Sequence, residues 1–374
     1  MLKSNNDNVY YNILYLLSCG VNNVNIDAGM ISKMNMENLY AACKFHNLTA
    51  FVCMTLENAD VDVSSKWKEA KFKSIRKNIM LDAEREKLLK FCEEKHIWYM
   101  PLKGVILKEL YPQTGMRQMA DNDILFDKNY QKDIHDYFIG NGYRAAEYKK
   151  GNHDVYEKAP VYNYEMHTSL FNASDDSCWT EYYNNNVKER LIKDDNNEYG
   201  YHFSDEDFYI YFTAHTFKHY DRGGGTGIRT LLDFYIYNRE KNLDYDYINC
   251  ELEKLGISAF EKKVRYLSCK VFGTDIENLS ENEQQMLEFF MRSGTYGTIS
   301  NIVKKRMKTD ESRIRYCLKR LLPDMESVKV YYPLVYKHKI LLPGYCVYRI
   351  IKGVTVRKER TVTELKILTG RKNV

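Results

Sequence analysis

At 374 residues and 44% hydrophobic content the chain has material for two or three packed units around a sizeable core, and a formal charge of +4 singles out no class of partner. Nine scattered cysteines with no CxxC pair exclude a disulfide framework or zinc ribbon and predict a reducing compartment. No apolar stretch approaches the roughly eighteen residues of a membrane span, so the expected location is the cytoplasm.

Residues 1–95 read as helical. The opening stretch has a short apolar run behind Asn and Asp with no clear cleavage site, which predicts an amphipathic helix and not a signal peptide. Apolar positions recur at three and four in Val9, Ile13, Leu16 and Leu17, and in Leu39, Ala42 and Phe45. The stretch 66–95 predicts a long charged helix whose sparse stripe is Phe72, Ile75, Ile79, Leu88, Leu89 and Phe91, with its lysines on a solvated face.

From 96 to about 175 strands and helices alternate. The expected elements are a strand at Trp98–Leu102, a helix over 104–111, a strand over 119–126 and a helix over 129–141. Strand-like runs follow from Gly142 to Tyr148, His153 to Lys158 and Val161 to Leu170. This pattern predicts an α/β (α+β) unit with a small mixed sheet between helical flanks. Its expected organisation is a helical region over 1–95, a core over 96–175, a polar connection over 176–203 and a helical domain over 204–374.

Two carboxylates fall at i and i+2 in the second strand. Residues so spaced project from one face, so Asp121 and Asp123 sit side by side while Asn122 points away. Hard cations such as Mg²⁺ take oxygen ligands of this kind together with substrate phosphates. The same triplet also reads as a solvated corner ahead of a buried strand. In the last run Glu165 and His167 share a face. A mid-strand carboxylate is costly to bury unless paired or bound to a cation; otherwise it marks the exposed face of an edge strand.

Residues 172–203 are Asn/Asp-rich and predict a long irregular connection. A helix then starts at Ser204, with Asp207 three residues on as a capping signal. His215, Lys218 and His219 share a face of that helix. The histidine spacing is zincin-like but lacks the Glu and a third ligand. The run Arg222–Gly227 lacks a Walker A ending, and Thr226 is the expected N-cap of the next helix, on which Arg229 and Asp233 can pair. From 245 onward the chain reads as helical. Lys304, Lys305, Arg306, Lys308, Arg313, Arg315, Lys319 and Arg320 form one basic cluster. Arg349, Lys352, Arg357, Lys358, Arg360, Lys366, Arg371 and Lys372 form another, beside the apolar LLPGYCVYRII. Such clusters are solvated surface, nucleic-acid contacts or attraction to an anionic membrane.

The residues LKG at 102–104, YP at 111–112, Gly115-x-Arg117 and DNDILF at 121–126 resemble the nucleotidyltransferase-like family of the polymerase β superfamily. They are most similar to its uncharacterised bacterial branch, with a Lys-Gly turn where other members carry Gly-Ser or Gly-Gly. The resemblance implies transfer of a nucleoside monophosphate from an NTP such as ATP to an acceptor, with two Mg²⁺ ions. Asp121, Asp123 and Glu165 are the implied catalytic and metal-binding carboxylates. Glu165 stands where other members often have an Asp-x-His. Lys103, Gly104, Arg117, Lys218 and Asp233 are implied on the nucleotide side. The acceptor is open: a small molecule, a tRNA or a protein hydroxyl in a toxin-like role. A nucleotide-binding or partner-binding protein that keeps the fold without turnover is the competing class.

Overall fold

The computed structural model describes residues 9–172, 175, 177–184, 187–221, 224–273, 278–295, 297–310, 322–355 and 358–368. Arg222, Gly223, Arg313, Arg315, Lys319, Arg320, Arg357, Arg371 and Lys372 lie outside the described residues, as do the side chains of Lys304, Lys305, Arg306 and Lys308.

Five helices precede the sheet: α1 (Val9–Asn22), α2 (Ala28–Ile31), α3 (Met36–Phe45), α4 (Thr49–Asn58) and α5 (Ser65–Glu94). α4 is buried from Thr49 to Leu56, as its nearly uninterrupted small and apolar sequence requires. α5 departs from the expected stripe. Phe72 and Ile79 are exposed, whereas Ser74 and Asn78 are buried. The reason is hydrogen bonding: the Ser74 hydroxyl donates to the Gly115 carbonyl (2.7 Å) and Asn78 Nδ2 to the Arg117 carbonyl (3.2 Å). This helix is therefore a polar backing for the loop that precedes the acidic strand. Gly115 fits that role, with φ +92° and no room for a Cβ, which would stand 2.6 Å from the Ile75 side chain.

The sheet holds β1 (Tyr99–Pro101), β2 (Asn122–Phe126), β3 (Arg144–Glu147), β4 (His153–Lys158) and β5 (Tyr162–His167) in the order β1-β2-β5-β4-β3. β2 and β5 run parallel at its centre and the other pairs are antiparallel, giving the expected mixed α+β architecture. β5 is thus an interior strand, which removes the edge-strand reading of Glu165. The two faces separate with period two. Ile124, Phe126, Tyr156, Tyr164 and Met166 pack under α5 and α7 (Gln131–Gly140), with Phe138 stacked on Tyr156 at 4.2 Å. Asp123, Glu165 and His167 alternate with these residues and face the other way.

Between Lys103 and the acidic strand the chain forms one turn of helix, α6 (Gly104–Leu107), then a 3-10 turn (Lys108–Leu110). A single turn, shorter than the helix expected over 104–111, has little macrodipole with which to attract a phosphate. The connection after the sheet is not irregular as expected. It contains α8 (Ser177–Asn184) and a small hairpin of β6 (Ile192–Lys193) with β7 (Tyr201–His202). Trp179 and Tyr183, spaced i and i+4, bury against Phe171, and that contact outweighs the polar composition around them.

α9 (Asp205–Asp221) begins as expected, the Ser204 hydroxyl accepting from the Asp207 N–H at 3.0 Å. α10 (Ile228–Glu240) is capped by Gly227 and not by Thr226, whose hydroxyl meets that of Thr230. α11 (Tyr245–Lys254), α12 (Ser258–Phe272), α13 (Glu281–Ser293) and α14 (Ile299–Asp310) follow. One apolar core runs from Ile13 through Leu125 to Met291, tying the flanking helices to one side of the sheet. Among the described residues no helix is long and apolar enough to cross a membrane.

Candidate active site

The register of the two parallel strands sets the geometry. Asp123 and Glu165 are direct neighbours across β2 and β5, and His167 lies two residues further on the same face. One ligand atom from each lies within 4.8 Å of the others, the one grouping of metal-capable donors among the described residues. His215 and His219 are outside it; their Nε2 atoms instead lie 3.3 Å apart. Asn122 faces away as alternation requires: its Nδ2 donates to the Leu81 carbonyl (3.0 Å) and its Oδ1 accepts from Arg85 (3.2 Å). Asp121 stands just ahead of the strand.

Lys103 completes the cluster. Its ammonium donates to Asp123 Oδ1 at 2.6 Å and lies 3.5 Å from Glu165 Oε2. At the Lys-Gly turn the unusual backbone is on the lysine, at φ 49° and ψ −115°. A non-glycine residue there costs on the order of 1–3 kcal/mol. The ion pair with Asp123 is the visible compensation. Gly104 has its own steric reason: a Cβ would stand 2.7 Å from Arg117 Nη1.

Electrostatics divides the carboxylates. Burial, then the charges of Asp123 and Glu165, push Asp121 up to about 7, against the pull of Lys103 and Arg229. Burial opposes ionisation of Glu165 too, but a hydrogen bond from His167 and the Lys103 charge outweigh it and hold Glu165 well below the usual carboxylate range. Lys103 is likewise raised: burial disfavours its ammonium, and Asp123, Tyr211 and Glu165 more than compensate. Across the cavity, burial and the Lys103 charge hold His215 well below the usual imidazole range.

A cavity of about 390 Å³ opens over this face, within the size range of small-ligand sites. All eight residues expected at the site line it: Asp121, Asp123, Glu165, Lys103, Gly104, Arg117, Lys218 and Asp233. They differ in what they touch. Arg117 makes a bidentate contact with Asp233 (Nε to Oδ1 2.9 Å, Nη2 to Oδ2 3.0 Å), and the Tyr111 hydroxyl donates to Asp233 Oδ1 at 2.6 Å. Lys218 pairs with Asp175 at 2.7 Å.

The cavity also takes in His153, His167, Tyr211, His215 and Arg229, none of them expected there. Two signals were available: His167 lies at i+2 from Glu165 in the strand, and Tyr211 precedes His215 by four on a helix. Arg229 lies four residues before Asp233, although Asp233 pairs with Arg117 and Arg229 donates to the Gln118 carbonyl at 2.8 Å; His153 carried no signal. His167 donates Nε2–H to Asp123 Oδ1 at 2.9 Å, while its buried Nδ1 has no hydrogen-bond partner.

The site thus combines a parallel strand pair bearing opposed carboxylates, a Lys-Gly turn and a helix of cationic and imidazole side chains. The model of a family described as uncharacterised nucleotidyltransferase matches residues 32–273, and the chain belongs to that family. Comparison with curated proteins and with solved structures gave no match.

Proposed function

We propose that the protein is a Mg²⁺-dependent nucleotidyltransferase that moves a nucleoside monophosphate from an NTP to a hydroxyl or phosphate acceptor. The observation that carries this is the in-register pair of Asp123 and Glu165 facing the cavity. The donor set suits a hard cation, with two carboxylates grouped with His167 and Asp121 on the same cavity wall. Asp121, Asp123 and Glu165 would hold the ions, which when bound neutralise triphosphate charge and acidify the attacking hydroxyl.

The remaining roles belong to the chain. Lys103 neutralises Asp123 and Glu165 before substrate arrives, and its short distance to both keeps them from repelling each other. Lys218, anchored on Asp175, presents a cation from α9 toward the triphosphate. Arg117, locked by Asp233, walls the turn at Gly104 and so shapes the phosphate side of the cavity. Glu165 stays ionised and would ligate the ion that activates the acceptor hydroxyl.

Purified protein incubated with labelled NTPs, Mg²⁺ and a cell extract should label one acceptor fraction, and Asp121→Asn should abolish the labelling while the fold persists. Unchanged turnover in that variant refutes the assignment. A reading as a binding protein without turnover draws support from Lys103, whose ammonium already occupies one oxygen of Asp123 and lies beside one of Glu165. NTP binding with no pyrophosphate release across a broad acceptor panel would favour it.

A further inference from the structure

The helix Leu342–Thr355 is built inside out. Val347, Ile350, Ile351 and Val354, spaced i, i+3, i+4 and i+7, form a continuous apolar stripe that a core-facing helix would bury. Here they point to solvent: Val347 is 56% exposed, Ile351 56% and Val354 58%. Arg349 and Lys352 lie on the opposite side, their cations over the rings of Tyr345 and Tyr348. The preceding turn is exposed as well, with Ile340 88% exposed and Lys337 and Lys339 exposed beside it. From Ser327 to Lys358 the sequence has no Asp or Glu.

We propose that this segment is an interfacial anchor that lies on an anionic lipid surface. Three features select that occupant. Fourteen residues of helix span about 21 Å, too short to cross a hydrocarbon core of about 30 Å, so the segment can lie on a bilayer but not pass through it. An acid-free run of cations attracts anionic headgroups, while the apolar stripe enters the boundary below them. A second copy of the chain would set like charges against each other, and a nucleic acid would leave the stripe in water. The segment is tied to the rest of the molecule near the site: the Tyr331 hydroxyl accepts from Asn172 Nδ2 at 3.1 Å.

Flotation of the full chain with vesicles of phosphatidylcholine alone, and with about a quarter phosphatidylglycerol, tests the proposal. Binding is expected only to the anionic vesicles and should weaken as salt screens the charge. The double variant Ile351→Asp/Val354→Asp should lower the bound fraction about tenfold with unchanged circular dichroism, and Lys337→Glu/Lys339→Glu should lower it with the stripe intact. Three results would overturn it: no flotation with anionic vesicles; tRNA binding that survives the stripe substitutions while flotation is absent; or dimerisation in sedimentation that those substitutions abolish without any lipid binding.

Discussion

Two groups of charged residues line one cavity and are built in opposite ways. Around Asp233 the construction is closed: Arg117 meets both carboxylate oxygens, Tyr111 adds a third bond, and burial is nearly complete. Around Asp123 it is open. Lys103 and His167 converge on one oxygen, Glu165 is half-buried, and the Nδ1 of His167 lacks a hydrogen-bond partner. A saturated ion pair has nothing left to give a substrate and acts by holding its neighbours, whereas an unsaturated one keeps capacity for a ligand. The resemblance implied a catalytic, metal-binding role for Asp123 and a nucleotide-side role for Asp233, without the Arg117 and Tyr111 bonds that close off the latter.

Exchanging the two aspartates in separate variants breaks the comparison if it is wrong. Asp123→Asn should cut nucleotidyl transfer about 10⁴-fold, equivalent to about 5 kcal/mol, and lower the urea midpoint only modestly, because Glu165 remains beside the Lys103 ammonium. Asp233→Ala should instead cost about 3–5 kcal/mol of stability in the same urea titration, because it leaves a buried guanidinium without its counter-ion. A stable Asp233→Ala protein that has lost only turnover would assign that residue to the chemistry.

The closed construction recurs at His46, which sharpens the point with a pH readout. Nδ1 accepts from the Ile228 N–H at 3.3 Å, so Nε2 carries the proton and donates to the Met291 carbonyl at 3.0 Å. Burial pulls this imidazole down to about 4, against the bond to Met291, which favours the charged form. The unfolded chain takes up a proton near pH 6.5 and the folded one does not until about pH 4. Stability is therefore full above pH 6.5 and falls as pH drops through that window, by about 3 kcal/mol for this group. Urea midpoints measured across the window should show that slope, and His46→Gln should flatten it.

How much was legible in the sequence differs between backbone and contacts. Strand alternation alone set Asp123 against Asn122 and placed Glu165 beside His167, because the period of two is a local property of extended chain; Asp121, ahead of the strand, reaches the cavity from the loop. Capping at Ser204 is local in the same sense. The polar reading of 172–203 missed α8, since the contacts of Trp179 and Tyr183 with Phe171 are tertiary. The stripe on α5 was misread for a related reason: Ser74 and Asn78 are buried only because loop carbonyls more than thirty residues away need donors. Tertiary structure alone decided that β2 and β5 run parallel in the register that opposes Asp123 to Glu165. It also decided that Lys103 reaches both, and that Arg117 belongs to Asp233 across 116 residues. Side-chain direction follows from local backbone period, but which charges meet is settled by packing that no short window contains.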